Sequence, residues 1–236
     1  MTRFAVAAGL KPYQQGLPLP DAEAGPIPAS HAVPAAATET RAIHISGYER
    51  NGRDFYATPS WVTEALLRHF RFRGPVWEPC CGTGAMSAVL TAYRYEVIST
   101  DIADHGFGTP GIDFLACDNL PAGCRSIVTN PPYGDTGSHK GQARSSVAML
   151  DFVAHALTLT AKARGQLALL VRLQWMAGKR AAELLSSGPF AATIILTRRI
   201  QWFEMGEETN TAQHHHAWII FDYGHPSGSP PVLLYA

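Results

Sequence analysis

The chain has 236 residues, 46% of them apolar, and a formal net charge of zero. That length suits one substantial domain with a tail, and the apolar fraction is enough to bury a full core. Neutrality argues against a protein that grips nucleic acid through one large basic face, and no apolar run reaches the roughly 20 residues that span a bilayer.

Residues 1–47 are rich in alanine and proline, with Pro12, Pro18, Pro20, Pro26, Pro28 and Pro34 and no apolar periodicity. Such a stretch buries too little surface to offset its ordering entropy and reads as a flexible tail. It lacks the apolar core of a signal peptide. Residues 48–236 read as a single domain. Thr58-Pro59-Ser60 has the form of a helix start, with Thr58 as N-cap and Pro59 at the first helical position. Trp61, Ala65, Leu66 and Phe70 then recur at helical spacing. Pro75 to Glu78 is a short apolar strand ending in an acid, and Cys81-Gly82-Thr83-Gly84 is a tight turn leading into a helix from Met86 to Tyr93. Glu96 to Asp101 is a second strand ending in an acid, and Ile127 to Thr129 a third, running into Asn130. A long helix over Val147–Thr160, a buried strand over Gln166–Val171 and a helix over Gly178–Leu185 follow. Two last strands, Ala192–Leu196 and Ala217–Phe221, are joined by a polar loop, Glu204 to Gln213, and predict an antiparallel hairpin at the sheet edge. Only a short tail, Asp222 to Ala236, is expected after them.

Strands alternating with helices predict an α/β fold of Rossmann-like type, a mostly parallel sheet with helices on both faces. Ligands of such sheets bind beyond the carboxyl ends of the strands. That rule directs attention to Glu78–Gly84, Asp101, Asp113 and Asn130–Tyr133. The glycines of the turn let backbone approach a ligand where a Cβ would clash. The turn is not the dinucleotide fingerprint, because Ser87 stands where a third glycine is needed. Asp101, with Ile102 beside it, is placed to accept hydrogen bonds from ribose hydroxyls. Asp113-Phe114 pairs an acceptor with an aromatic face, as an adenine ring requires. Each feature also has a plain reading, Asp101 as a turn residue and Phe114 as core.

Asn130-Pro131-Pro132-Tyr133 after a strand resembles the catalytic motif of class I amino-methyltransferases, which modify adenine N6, cytosine N4 or protein glutamine. The Glu78-Pro79-Cys80-Cys81-Gly82-Thr83-Gly84 turn and the Asp54-Phe55-Tyr56-Ala57-Thr58-Pro59 segment resemble the cofactor motifs of adenine-specific DNA methyltransferases of the compact phage and prophage type. The resemblance covers roughly residues 54 to 222. It implies a class I methyltransferase domain with S-adenosylmethionine as cofactor. Tyr56, Thr58 and Pro59 would line its methionine end, Glu78 would lie near its amino group, and Pro79, Cys80, Gly82 and Gly84 would form its turn. It implies transfer to the N6 amine of adenine in DNA, with Asn130, Pro131, Pro132 and Tyr133 catalytic.

The chemistry agrees with this. An aromatic amine is a poor nucleophile because its lone pair is delocalised, and two acceptors on its hydrogens, the Asn130 side-chain oxygen and the Pro131 carbonyl, would favour a tetrahedral nitrogen. The prolines fix φ before substrate arrives, and Tyr133 offers a face for a base flipped out of its stack. No separate target-recognition domain is evident, so RNA adenine, protein glutamine and a non-catalytic partner subunit stay open as alternatives.

Three weaker signals remain. Lys140 and Arg144 lie in a small-residue loop where they could meet phosphate. Arg199 with Trp202 and Phe203 pairs a cation with aromatics, as nucleic acid favours, although both aromatics suit a core equally well. His214-His215-His216 cannot all reach one ion from a regular strand, so no metal is expected. Cys80, Cys81, Cys117 and Cys124 have no zinc spacing and read as free thiols of a reducing, cytoplasmic compartment.

Overall fold

The strongest apolar runs of the sequence become the central strands. In the computed structural model, which describes residues 57–132, 145–204, 207–208 and 214–236, a seven-stranded sheet carries the order β2-β1-β3-β4-β8-β5-β9. The strands are β1 (Val76–Glu78), β2 (Val97–Ser99), β3 (Ser126–Thr129), β4 (Gln166–Arg172), β5 (Phe190–Ile195), β8 (His216–Asp222) and β9 (Val232–Tyr235). A separate two-stranded ladder pairs β6 (Phe203–Glu204) with β7 (Glu207–Glu208). All described residues belong to one compact unit of the chain. The N-terminal tail expectation, Tyr56, Tyr133, Lys140 and Arg144 lie outside the described residues, as does the side chain of Phe203.

Only β8 runs against the rest: it pairs antiparallel with β4 on one side and β5 on the other. The sheet is thus the mostly parallel α/β sheet that the sequence predicts. The last hairpin is not at its edge, however. Val232 to Tyr235, expected as tail, adds a strand parallel to β5 and takes the edge position itself.

Alternate residues of each central strand feed two apolar clusters, one per face, as the two-residue strand period requires. Val128, Ala168, Leu170, Trp218 and Ile220 join one cluster with helices α1 (Ser60–His69) and α2 (Ala85–Ala92). Ile127, Leu167, Leu169, Ile219 and Phe221 join the other, with α3 (Ser145–Ala163). Helix α4 (Lys179–Ser187) packs beside α3 on that face. Both β4 and β8 are buried almost end to end, which explains their continuous rather than alternating hydrophobicity.

Two indole N–H groups lock this frame near the carboxyl ends. Trp77 Nε1 donates to Thr100 Oγ1 at 2.9 Å, tying β1 to the segment after β2. Trp218 Nε1 donates to the Val62 carbonyl at 2.9 Å, tying β8 to the first turn of α1. The second bond seats α1 on the sheet and so determines where the residues just before it stand.

Candidate active site

The first strand ends at Glu78, and the chain turns immediately through Gly82 and Gly84, both left-handed at φ 53° and 83°. That conformation favours glycine because a Cβ would clash with the backbone. The Gly84 N–H donates to the Cys81 carbonyl at 2.8 Å, closing the turn, and α2 begins directly after it with Gly84 as N-cap. Above Gly84 lies the ring of Phe107: a Cβ built on Gly84 would sit 2.6 Å from three of its carbons. Phe107 is carried by a loop pinned at its root, where Thr109 N–H donates to the Ser99 carbonyl and Asp101 N–H to the Thr109 carbonyl.

Asp101 stands just beyond β2. Its Oδ2 accepts the Gly82 N–H at 3.0 Å and its Oδ1 accepts the Ala103 N–H at 2.9 Å. The carboxylate therefore braces the glycine turn. Ile102, next to it, is among the most exposed large apolar residues of the described chain. The Ile112 N–H donates to the Asp101 carbonyl, which brings Asp113 to the same strand end. Asp113 Oδ1 accepts the Leu115 N–H and caps the short 3-10 turn Phe114–Ala116. A glycine turn, the acid that braces it and an exposed aliphatic chain thus stand together at the carboxyl ends of β1 and β2.

Four expectations need correction at this site. Thr58 is not an N-cap: α1 starts at Ser60 with Pro59 in the cap position and no side-chain cap bond. The Thr58 hydroxyl is instead engaged by Asn130, whose Nδ2 donates to Oγ1 at 3.2 Å. Glu78 is only 1% exposed and takes a hydrogen bond from Ser87, which in turn lies 2.5 Å from Ser99 Oγ. Burial pushes its carboxyl up to about 8, so it is neutral at pH 7 and faces inward, behind the turn. Phe114 is packed in the core, stacked on Phe152 at 4.2 Å and tilted against Trp77 at 5.3 Å. Trp202 is likewise a core residue, buried with its ring edge-on to His216 at 5.5 Å.

Asn130 follows the last residue of β3, beside β1 and its turn. With Nδ2 committed to Thr58, the other amide atom, Oδ1, is buried and has no hydrogen-bond partner among the described residues. A buried acceptor left unpaired costs about 1–3 kcal/mol. Pro131 is buried and Pro132 exposed. Pro79 is buried in the turn and Cys80 half-buried. All four cysteines are free thiols, and burial pushes Cys81 up to about 12, which keeps it protonated and unreactive. Of the histidines in the 214–216 run, His216 is buried and held neutral, its pKa lowered to about 4 by burial and by Arg172. His214 and His215 instead meet Gln174 and Arg199, each at 3.2 Å. The described residues contain no group of three or more side chains placed to hold a metal, and no helix long and apolar enough to cross a membrane.

Sequence reasoning missed Phe107 and the Ser87–Ser99 pair. The signal for Phe107 is its bracket of glycines, since Gly106 and Gly108 are both left-handed and aim the loop back onto the turn. Nothing in the sequence marks Ser87 and Ser99 as partners of Glu78, because the three come together only when β1, β2 and α2 pack.

No protein-family model matches the chain, and no curated protein matches it. Among solved structures it is similar to a Listeria monocytogenes protein ascribed to the class I S-adenosylmethionine-dependent methyltransferases (TM-score 0.47, 13% identity, covering 80% of this chain and 67% of that one). It is similar to a protein of Vibrio vulnificus YJ016 ascribed to the modification subunits of type I restriction enzymes (TM-score 0.47, 14% identity, 77% and 50%). It is also similar to the EcoKI M protein of a type I restriction enzyme (TM-score 0.46, 17% identity, 70% and 43%). The match spans half or less of the length of these last two.

Proposed function

We propose that this protein transfers a methyl group from S-adenosylmethionine to an amino nitrogen, and that the amine is N6 of adenine in DNA. The observation that carries the reading is the side chain of Asn130: Nδ2 is held by Thr58, and Oδ1 is buried without a partner at the carboxyl end of the sheet. An amine hydrogen is the natural occupant for that acceptor. The hydrogen bond draws electron density back onto nitrogen and disfavours the planar form in which the lone pair is lost to the ring. The Pro131 carbonyl supplies a second acceptor on rigid backbone. The cofactor, when bound, supplies an electrophilic methyl group on a cationic sulfur, so the protein needs no strong base. Asp101, Ile102 and the Gly82–Gly84 turn hold its nucleoside. The Asn-Pro-Pro-Tyr tetrapeptide and its order after the glycine turn support the adenine reading over a generic amine.

The test uses the full chain with radiolabelled S-adenosylmethionine and, in parallel, duplex DNA, single-stranded RNA and a glutamine-containing peptide. Label is expected in DNA and, after digestion to nucleosides, in N6-methyladenine by mass spectrometry. Asn130→Ala is expected to lower kcat at least about 100-fold, the scale of losing one aligned hydrogen-bonding group at a reacting centre. Full transfer by that variant refutes the assignment. Label confined to RNA or to glutamine keeps the amine chemistry and replaces the substrate.

A further inference from the structure

The reversed strand β8 gathers three distant segments at the edge of the sheet where Asn130 stands. Register fixes this: Arg172 at the end of β4 pairs with His216 at the start of β8, and Ile195 at the end of β5 pairs with Ala217. The segments 172–180, 196–203 and 214–216 hold Arg172, Lys179, Arg180, Arg198 and Arg199 and no aspartate or glutamate. In a chain of zero net charge, that is a local concentration of cations. Arg180 shares a cleft with Asp151 and Glu183, so Arg198 and Arg199 carry the strip. With adjacent strands about 4.8 Å apart, the strip runs from roughly 5 to 15 Å away from Asn130.

Its side chains are arrayed as planar donors. The Arg198 guanidinium lies 5.1 Å from the centroid of the Trp61 ring, in the first turn of α1 and three residues from the Thr58 that holds Asn130. A guanidinium over an indole is attracted by the ring's negative face and can still donate to an anion. Arg199 Nε donates to His215 Nε2 at 3.2 Å. Gln174 Nε2 lies 3.2 Å from His214 Nδ1. Arg198, Arg199, Gln174 and His215 are all exposed.

We propose that this edge is a phosphodiester-binding strip, which lays the strand carrying the target base across the mouth of the Asn130 site. The inference rests on the reading of Asn130 only for where the base goes. Planar, fixed donors and an aromatic-backed guanidinium fit phosphate oxygens, whose bidentate recognition favours arginine, better than the scattered carboxylates of an acidic peptide.

The experiment measures binding without methyl transfer. Fluorescence anisotropy of the full chain is recorded with duplex DNA, single-stranded DNA and single-stranded RNA of one sequence, from about 50 to 200 mM salt. Arg198→Gln combined with Arg199→Gln is expected to weaken binding about tenfold or more. It is expected to shallow the dependence of log Kd on log salt by about 1 for each phosphate that is no longer neutralised, with cofactor affinity by calorimetry retained. The nucleic acid whose binding weakens most identifies the strand the strip holds. Unchanged affinity for all three, or weaker binding with an unchanged salt slope, overturns the proposal. Asn130→Ala is expected to keep the salt-dependent binding while losing transfer, so failure of the strip and failure of the catalytic reading are separately visible.

Discussion

Replacing Thr58 by valine isolates the hydroxyl that orients Asn130. Thr58 is 6% exposed, so valine keeps its volume and packing while removing the acceptor that Asn130 Nδ2 uses at 3.2 Å. The Asn130 amide has two orientations that differ by exchange of Oδ1 and Nδ2, and the structure takes the one in which Nδ2 donates to Thr58 and oxygen stands at the buried open position. A neutral side-chain hydrogen bond contributes about 0.5–1.5 kcal/mol net. Removing that bias raises the barrier by the same amount, a loss of about 2- to 12-fold in kcat. On the proposed reading the effect is to appear in kcat at saturating DNA and cofactor rather than in KM for DNA, because Thr58 meets Asn130. Thr58→Ser restores the acceptor and is expected to restore most of kcat. Circular dichroism checks that each variant is folded. Wild-type kcat in Thr58→Val, or a serine variant as impaired as the valine one, refutes the idea that this bond sets the amide.

The buried acid and the glycine turn give two further predictions. Glu78 has a folded pKa raised from 4.5 to about 8 by burial, so between those values the native state holds a proton that the unfolded chain has released. Stability therefore falls as pH rises through that window, by about 1.4 kcal/mol for each pH unit over which one extra proton is held, and is flat above it. Glu78→Gln removes this dependence; denaturant melts at pH 6 and pH 9 check it, and parallel curves for the two proteins contradict the neutral carboxyl. Gly84→Ala meets both a left-handed φ of 83° and the Phe107 ring 2.6 Å from the new Cβ. The backbone share is about 1–2 kcal/mol, and the rest is expected to vanish when Phe107→Ala is introduced with it. A double-mutant cycle of unfolding free energies reads the coupling, and strict additivity dismisses the clash.

The sheet is legible in the sequence because its signals are local. Long apolar runs at β4 and β8, and acids or amides just past β1, β2 and β3, are properties of short windows. The same holds for the left-handed turn, since Gly82 and Gly84 announce it by type. The features that escape such reading need partners far away in sequence. Val232 to Tyr235 is largely exposed and follows two prolines, so nothing local separates it from a tail; it is a strand because β5 offers it an edge. Thr58-Pro59-Ser60 satisfies the pattern of an N-cap as written, but the hydroxyl has a competing partner 72 positions away in Asn130. Glu78 reads as a ligand of an amino group, whereas it is buried and takes its hydrogen bond from Ser87, which in turn meets Ser99. Trp202 and Phe114 suit core and ligand equally well by type, and packing against His216 and Phe152 decides for the core.

The antiparallel strand bears on how this sheet separates its tasks. In an all-parallel sheet every strand begins at the edge opposite the carboxyl ends, so a segment that precedes a strand is excluded from the ligand edge. Reversing β8 puts its start, His214 to His216, at the ligand edge, between the ends of β4 and β5. The glycine turn and Asp101 occupy the β1–β2 side, Asn130 stands at β3, and the cationic segments lie on the β4–β8–β5 side. On the proposed reading, Asn130 stands between the Asp101 side, which takes the ribose, and a basic side, which takes phosphate. On that reading a polyanion is drawn to the basic side and away from Asp101.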